Sequence, residues 1–515
     1  MPSVYSHVGG LHPKRSAFNT SFSTLFNCDM GQLIPIYYEE CIPGDFHDIS
    51  VEHVVRFQPL TAPILHEIYA RTMFFFVAFR NLMNRETVED LGDTGEWEDF
   101  ITGGRDGLDT TELPLWKPPV GGYGKYSLWD YFGFPLNVVP TKDSLPHRLC
   151  LRAYNESYNE YIRDQNLQDP VSLDDDTVKN ICWSKDRFTT ALYDTQRGSP
   201  VAIPFDGLGK AEWSGLTFGG SPGISGNAYI VTDGVNDVPF PYQGDNIAPR
   251  LQGLLNGNTI DLSEAGGIGI SDLRRVVQLQ KLLERNMRVG SRYTEQLEGR
   301  FGVKPQDFRL QRPEFIGATR TPVIISEVLN TTGTADRPQG DLAGHGITAA
   351  KTRIGKYHAK EHGCIIGLMV VQPVPVYNLG INKKFQRRTR FDFPTPELVN
   401  LSEIAVKNSE LVVTGTARDD EIFGYQGIYD EMRINESRVC GDLRNGEPFE
   451  HWSLARDDYD KDNPPSLNEN FVKCVPTKRI FEVQNEPGLI VHCASLVRSV
   501  RPLPLIAQPG LVDHH

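Results

Sequence analysis

The runs of this chain able to form β-strands lie toward its two ends, separated by a long glycine-rich middle, and that distribution constrains the fold more than any single motif. Residues 33–41 and 67–79 are rich in Ile, Val, Tyr and Phe and flank a Pro43-Gly44-Asp45 turn signal, so they predict strands joined by a loop. Residues 323–329, 364–376, 410–416, 479–483 and 489–500 have the same character. About seven strands split between distant parts of a sequence suit a Greek-key or jelly-roll sandwich better than a meander.

Two amphipathic helices interrupt this pattern. From Leu149, the residues Leu151, Tyr154, Tyr158 and Tyr161 recur at three- and four-residue spacing before the polar Arg163-Asp164-Gln165-Asn166. A second helix starts at a Ser271 N-cap, with Leu273, Val276, Val277, Leu283 and Met287 on one face, and stops at Gly290. Both stripes predict core packing. Between the helices, residues 199–270 carry Gly219-Gly220-Ser221-Pro222-Gly223, Gly253, Gly257 and Gly266-Gly267 with few apolar runs. They read as a surface insertion, because loops of this length are uncommon without a function. The expected organisation is a first part of the core with an N-terminal arm (1–198), the insertion (199–270), and a second part of the core with a C-terminal tail (271–515).

The chain has 515 residues and a formal charge of -14, which argues against coating nucleic acid over its whole surface, since phosphate binding needs clustered Lys and Arg. Gly (47) and Pro (35) make up about a sixth of the residues, below the level of low-complexity disorder. Its eight cysteines are scattered singly and predict reduced, buried thiols made in a cytoplasm. Residues 1–19 lack the apolar segment of a secretory signal. The longest apolar runs, 73–79 and 365–377, fall short of the ~20 residues of a spanning helix, so no membrane insertion is expected.

Three motifs resemble catalytic or metal signatures and fail on chemistry. His358-Ala359-Lys360-Glu361-His362 matches the H-x-x-E-H zinc pattern, but Gly363 and the strand-like Cys364-Ile365-Ile366 follow directly, and two His four apart converge only on a helix. Gly219 to Gly223 fits G-x-S-x-G, yet the residue after the serine is Pro222, which has no N–H for an oxyanion hole. The acidic clusters Asp174-Asp175-Asp176, Asp419-Asp420-Glu421 and Asp457-Asp458 lack calcium-loop spacing and read as solvated loops. With no nucleotide-binding glycine loop either, no catalytic residue, metal site or cofactor is expected.

One segment stands apart. Lys383, Lys384, Arg387, Arg388 and Arg390 fall within eight residues and are interleaved with Phe385, in an otherwise acidic chain. Such a patch can pair with phosphates while its ring stacks on an unpaired base, so these six residues are the candidate DNA-binding site. A solvated loop, or a salt-bridge partner for an acidic neighbouring subunit, explains the same pattern equally well. The residues alone also leave open a jelly-roll carbohydrate-binding protein or carbohydrate-active enzyme, because such sandwiches host both.

A run of short motifs in one order adds to this reading. They include Phe18-Asn19-x-Ser21, Gly31-x-Leu33-Ile34-Pro35, Phe74-Phe75-Phe76-Val77, Tyr161-x-Arg163-Asp164-Gln165-Asn166 and Trp183-x-Lys185-Asp186-x-Phe188-Thr189. Arg292-Tyr293-Thr294-Glu295, Gln311-Arg312-Pro313-Glu314, Gly424-Tyr425-Gln426-Gly427 and His451-Trp452-Ser453-Leu454 follow. In this order they resemble the major capsid proteins of the Microviridae, most closely the gokushovirus type. The resemblance implies an eight-stranded antiparallel jelly roll with long loop insertions, forming pentamers and a 60-subunit T=1 shell around circular single-stranded DNA. It implies as partners a small basic DNA-binding protein, an internal scaffolding protein and a minor pilot protein. The insertion then forms protrusions at the three-fold axes and meets a host surface receptor. The implied location is the virion, assembled in the host bacterial cytoplasm.

Overall fold

A computed structural model describes residues 14–83, 96–104, 112–199, 201, 217–219, 227–232, 236–241, 270–329, 342–399, 401 and 403–506. The strands are β1 (Ser16–Asn19), β2 (Phe22–Cys28), β3 (Ile34–Cys41), β4 (Phe46–Phe57), β5 (Ile68–Ala78), β6 (Thr217–Gly219), β7 (Asn227–Thr232) and β8 (Asn236–Pro241). They continue with β9 (Glu314–Pro322), β10 (Ile324–Leu329), β11 (Leu342–His358), β12 (Gly363–Pro373), β13 (Glu403–Lys407), β14 (Ile422–Gly427) and β15 (Leu489–Arg501). One sheet runs β1-β15-β4-β11-β10, with β2 also on β15, and a second runs β3-β12-β5-β9; all pairs are antiparallel. Consecutive strands β2, β3, β4 and β5 alternate between the sheets, as do β9, β11, β12 and β15, which is the connectivity of a jelly-roll sandwich.

The side-chain pattern explains why each strand lies where it does. Along β4 every second residue from His47 to Phe57 is buried, so His47, Ile49, Val51, His53, Val55 and Phe57 face inward and Asp48, Ser50, Glu52 and Val54 face outward. Strand β12 is buried at every position and β5 at nearly every one. Both have two covered faces. On one side Phe74, Phe76, Ile365 and Met369 meet Ile49, Val55, Val491 and Val497 of the opposite sheet. On the other, Phe75, Val77, Ile366 and Leu368 pack under Trp116, Trp129 and the helix Leu149–Ser157. Each large side chain so buried contributes about 1.5–3 kcal/mol, as an upper bound. Within this sheet Gly367 of β12 lies directly opposite Phe74 of β5, and a Cβ on it would stand 2.7 Å from the Phe74 ring.

The helix Leu149–Ser157 is buried throughout and continues into a wider turn at Tyr158–Ile162. Its charged Arg152 is held by Asp174 at 2.8 and 3.0 Å and donates to the Leu82 carbonyl at 2.8 Å. The predicted Tyr154 stripe therefore is core, as its spacing indicated.

Several expectations need correction. The stretch between residues 41 and 67, predicted as a loop, holds the twelve-residue β4, whose His and acidic residues mask its alternation. Residues 410–416 form no strand: they are the end of a 3-10 turn and a single bridge from Val412 to Leu379. Residues 479–483 likewise form a turn with one bridge, Phe481 to Leu60. The second helix spans Ile270–Val289, but of its stripe only Met287 is fully buried, and Leu273 and Val277 are exposed. Its amphipathic pattern indicated the helix, while among the described residues most of the stripe is not buried.

The chain divides into two compact units, Met1–Thr195 with Met287–His515, and Gln196–Asn286. The second contains the sheet β6-β7-β8. Most of the Gly219 to Gly223 motif, residues 220–223, lies outside the described residues, as do residues 507–515 of the tail. Among the described residues no helix is long and apolar enough to cross a membrane.

Candidate nucleic-acid interface

The basic segment is mounted on a small third core, separate from the sandwich. Phe188, Tyr377, Val406, Leu411, Val412, Phe423 and Phe471 form it, beside the two-stranded sheet β13-β14. The chain reaches it directly from β12: Tyr377 bridges Arg438 and Leu379 bridges Val412, both in parallel register. At its centre Arg187 is buried against Glu410, donates to Glu436 at 2.6 Å, and donates to the Gln426 side chain at 3.0 Å. A buried guanidinium with two carboxylates is held in one geometry, because removing either partner would strand a charge.

Asn382 caps the basic segment, accepting from the Lys384 N–H at 2.9 Å and donating to Glu436 at 3.0 Å. Its cations then divide into two groups. Lys383 donates to the Ala405 carbonyl at 3.0 Å and lies 3.9 Å from the buried Glu410. Burial, only partly offset by Glu410 and Glu431, lowers the pKa of its ammonium. Arg387 pairs at 2.8 Å with the buried Glu431, and its guanidinium lies over the Phe393 ring. These two cations are compensated within the chain.

The rest point outward. Lys384 reaches Asn435 at 2.6 Å. Arg388 and Arg390 are exposed and, among the described residues, make no ion pair. Arg390 stacks over Phe391 at 4.6 Å. Phe385 is 73% exposed and Phe391 63%, with Phe393, Met432 and Ile434 also exposed on the same third-core region. The turn that presents Arg388 and Arg390 is fixed by Asp392, whose carboxylate accepts from the N–H groups of Thr389 at 2.6 Å and Arg388 at 2.8 Å. Those bonds hold its pKa below the usual carboxylate range.

Sequence reasoning located the cations but missed their partners. Glu410, Glu431 and Glu436 are distant in sequence and carry no motif, and Arg187 sits at an unassigned position of the Trp183 to Thr189 block. The other candidate sites resolve into structural contacts. His358 ends β11 and His362 lies in the turn to β12, so the pair is not on a helix; Glu361 between them pairs with Arg80 at 2.6 Å. The acidic clusters are tied down locally: Asp174 to Arg152, Asp175 to Lys179 at 2.5 Å, Asp419 to the Thr414 N–H at 2.7 Å, and Asp457 to Arg479 at 2.5 Å.

Several phage proteins resemble this chain from end to end. The chain is 30% identical to capsid protein VP1 of Chlamydia phage 1, over 99% of this chain and 98% of that protein. It is 31% identical to capsid protein VP1 of Bdellovibrio phage phiMH2K and 28% identical to capsid protein VP1 of Spiroplasma virus 4, in each case over 98% of this chain and 97% of the relative. The family described as capsid protein (F protein) matches from residue 6 to residue 511. With jelly-roll connectivity and a family match from end to end, this chain belongs to the phage capsid protein (F protein) family and is a major capsid protein of the gokushovirus type, a shell-forming structural component of the virion.

Proposed function

We propose that this capsid protein assembles through pentamers into a 60-subunit T=1 shell around circular single-stranded DNA, and that the outward part of the basic segment touches that DNA. The observation that carries the DNA contact is the pairing of exposed rings, Phe385 and Phe391, with exposed arginines, Arg388 and Arg390. Rings give unpaired bases a stacking surface and arginines give the backbone a counter-charge, which suits a single strand better than a duplex. Lys383 and Arg387 act differently from the other four predicted residues: their buried carboxylate partners make them supports of the segment, and Lys384, Phe385, Arg388 and Arg390 are the contact group.

The test is the double variant Arg388→Ala/Arg390→Ala. Two lost phosphate contacts should flatten the slope of log affinity for a single-stranded oligonucleotide against log salt by roughly 1.4, and lower genome retention in particles. Unchanged slope and unchanged retention would assign the segment to contacts between subunits.

The insertion, residues 199–270, takes the role of protrusion and receptor contact in this reading, supported by the clustering of Gln196–Asn286 as a compact unit of its own. Because the chain is acidic overall, a small basic protein would neutralise most of the packaged DNA, with scaffolding and pilot proteins as further partners, and assembly would take place in the host cytoplasm.

A further inference from the structure

We propose that Cys41, Asp45 and His47 form a zinc site at the corner between β3 and β4. Cys41 is the last residue of β3 and His47 the second of β4, and the tight turn between them, with Gly44 at φ +95°, folds the C-x-x-x-D-x-H spacing into one cluster. Cys41 Sγ lies 3.4 Å from His47 Nε2, and His47 Nε2 lies 3.6 Å from Asp45 Oδ2. The three donor atoms all fall within 4.8 Å of one another, and all three residues are buried. Two ligands of one tetrahedral zinc, each bound at about 2.0–2.3 Å, stand roughly 3.3–3.7 Å apart, so an ion fits the cluster with small adjustments.

The surroundings favour a metal over ordinary core contacts. Asp45 is fully buried, yet its Oδ1 has no hydrogen-bond partner among the described residues, so the carboxylate can turn either oxygen to the ion. Its Oδ2 is steadied by the Ile42 N–H at 3.1 Å and faces Arg501 at 3.6 Å. His47 is oriented from behind: Nδ1 lies 2.8 Å from Ser499 Oγ, so it can donate there while Nε2 turns its lone pair toward the cluster. Thiolate, imidazole and carboxylate together suit zinc, whereas calcium and magnesium prefer oxygen donors alone. On binding, the Cys41 S–H bond is replaced by a sulfur–zinc bond and the proton leaves to solvent. Ser499 and Arg501 belong to β15, so the ion would join the β3–β4 corner to the last strand of the sandwich.

The experiment is elemental analysis of the purified full-length chain after incubation with zinc sulfate and desalting. About one zinc per chain is expected, lost in Cys41→Ser and in His47→Gln and kept in His362→Ala. Because these variants could misfold, cobalt(II) is added to the unaltered chain in parallel: a thiolate-to-cobalt charge-transfer band in the near ultraviolet supports the site. Zinc not retained, zinc retained undiminished in Cys41→Ser, or cobalt bound without that band would each overturn it.

Discussion

His53 shows what a single residue can impose on this fold. It occupies an inward position of β4, is buried, and has no hydrogen-bond partner on either ring nitrogen among the described residues. Burial lowers its pKa from 6.5. The unfolded chain takes up a proton near the ordinary value while the folded chain resists it. The resulting stability is therefore complete above about pH 6.5 and falls as pH drops through the window down to the lower folded pKa. Each unit of that depression corresponds to about 1.4 kcal/mol. His53→Leu should lose less stability than the unaltered chain between pH 7 and pH 5, measured as the shift in urea midpoint; equal losses would place the acid sensitivity elsewhere. At this scale the sequence was legible only for local chemistry. The cations of residues 383–390 were visible as a cluster, but Glu431, which claims Arg387, and Glu410, beside Lys383, are brought in by tertiary folding alone.

At the scale of elements, legibility followed long apolar runs. Strands β3, β5, β12 and β15 were read to within a few residues, since their apolar runs need no context. Strand β4 was missed because an inward His47 and His53 and outward Asp48 and Glu52 dilute a correct alternation, and 410–416 and 479–483 were misread because short apolar stretches also line turns that plug a core. The helix at 270–289 was found, and its packing was not, because periodicity reports a face and not what covers it. The insertion follows the same logic in reverse. Residues Gln196–Asn286 cluster as a compact unit of their own, so replacing residues 207–266 by a short Gly/Ser linker should leave the sandwich folded. Loop-length changes cost only about 0.6 kcal/mol per doubling. Circular dichroism and urea unfolding of the shortened chain check this; an insoluble or unfolded product would make the insertion part of the core.

For the whole molecule, the two sheets are not equivalent. Strands β5 and β12 of the sheet β3-β12-β5-β9 are covered on both sides by their own chain, so contacts between copies fall to loops, edges and the outward face of the other sheet. That outward face carries cross-strand ion pairs, Arg353 with Asp48 at 2.9 Å and Lys351 with Glu52, and a wet face of this kind contributes little to association. Apolar area for an obligate interface, which exceeds ~2,000 Å², has to come from elsewhere. Leu505 and Ile506 are about 70% exposed just past β15, with Leu503 exposed beside them. Deleting residues 503–515 should leave urea stability unchanged and abolish closed particles in electron micrographs; normal shells from the shortened chain would show that the tail is dispensable.

The position of β15 also has a consequence for synthesis. It lies between β2 and β4, and Ser21 bonds Val497 across 476 residues of chain. At about 5–20 residues per second, that separation is roughly 25 to 95 s of translation. Throughout this interval β2 and the facing edge of β4 lack the strand that lies between them in the finished sheet, Leu489–Arg501. A ribosome that stalls before that strand releases a chain with an open sheet edge, which invites degradation or aggregation. A chain translated only as far as residue 488 therefore lacks the strand that joins β2 to β4.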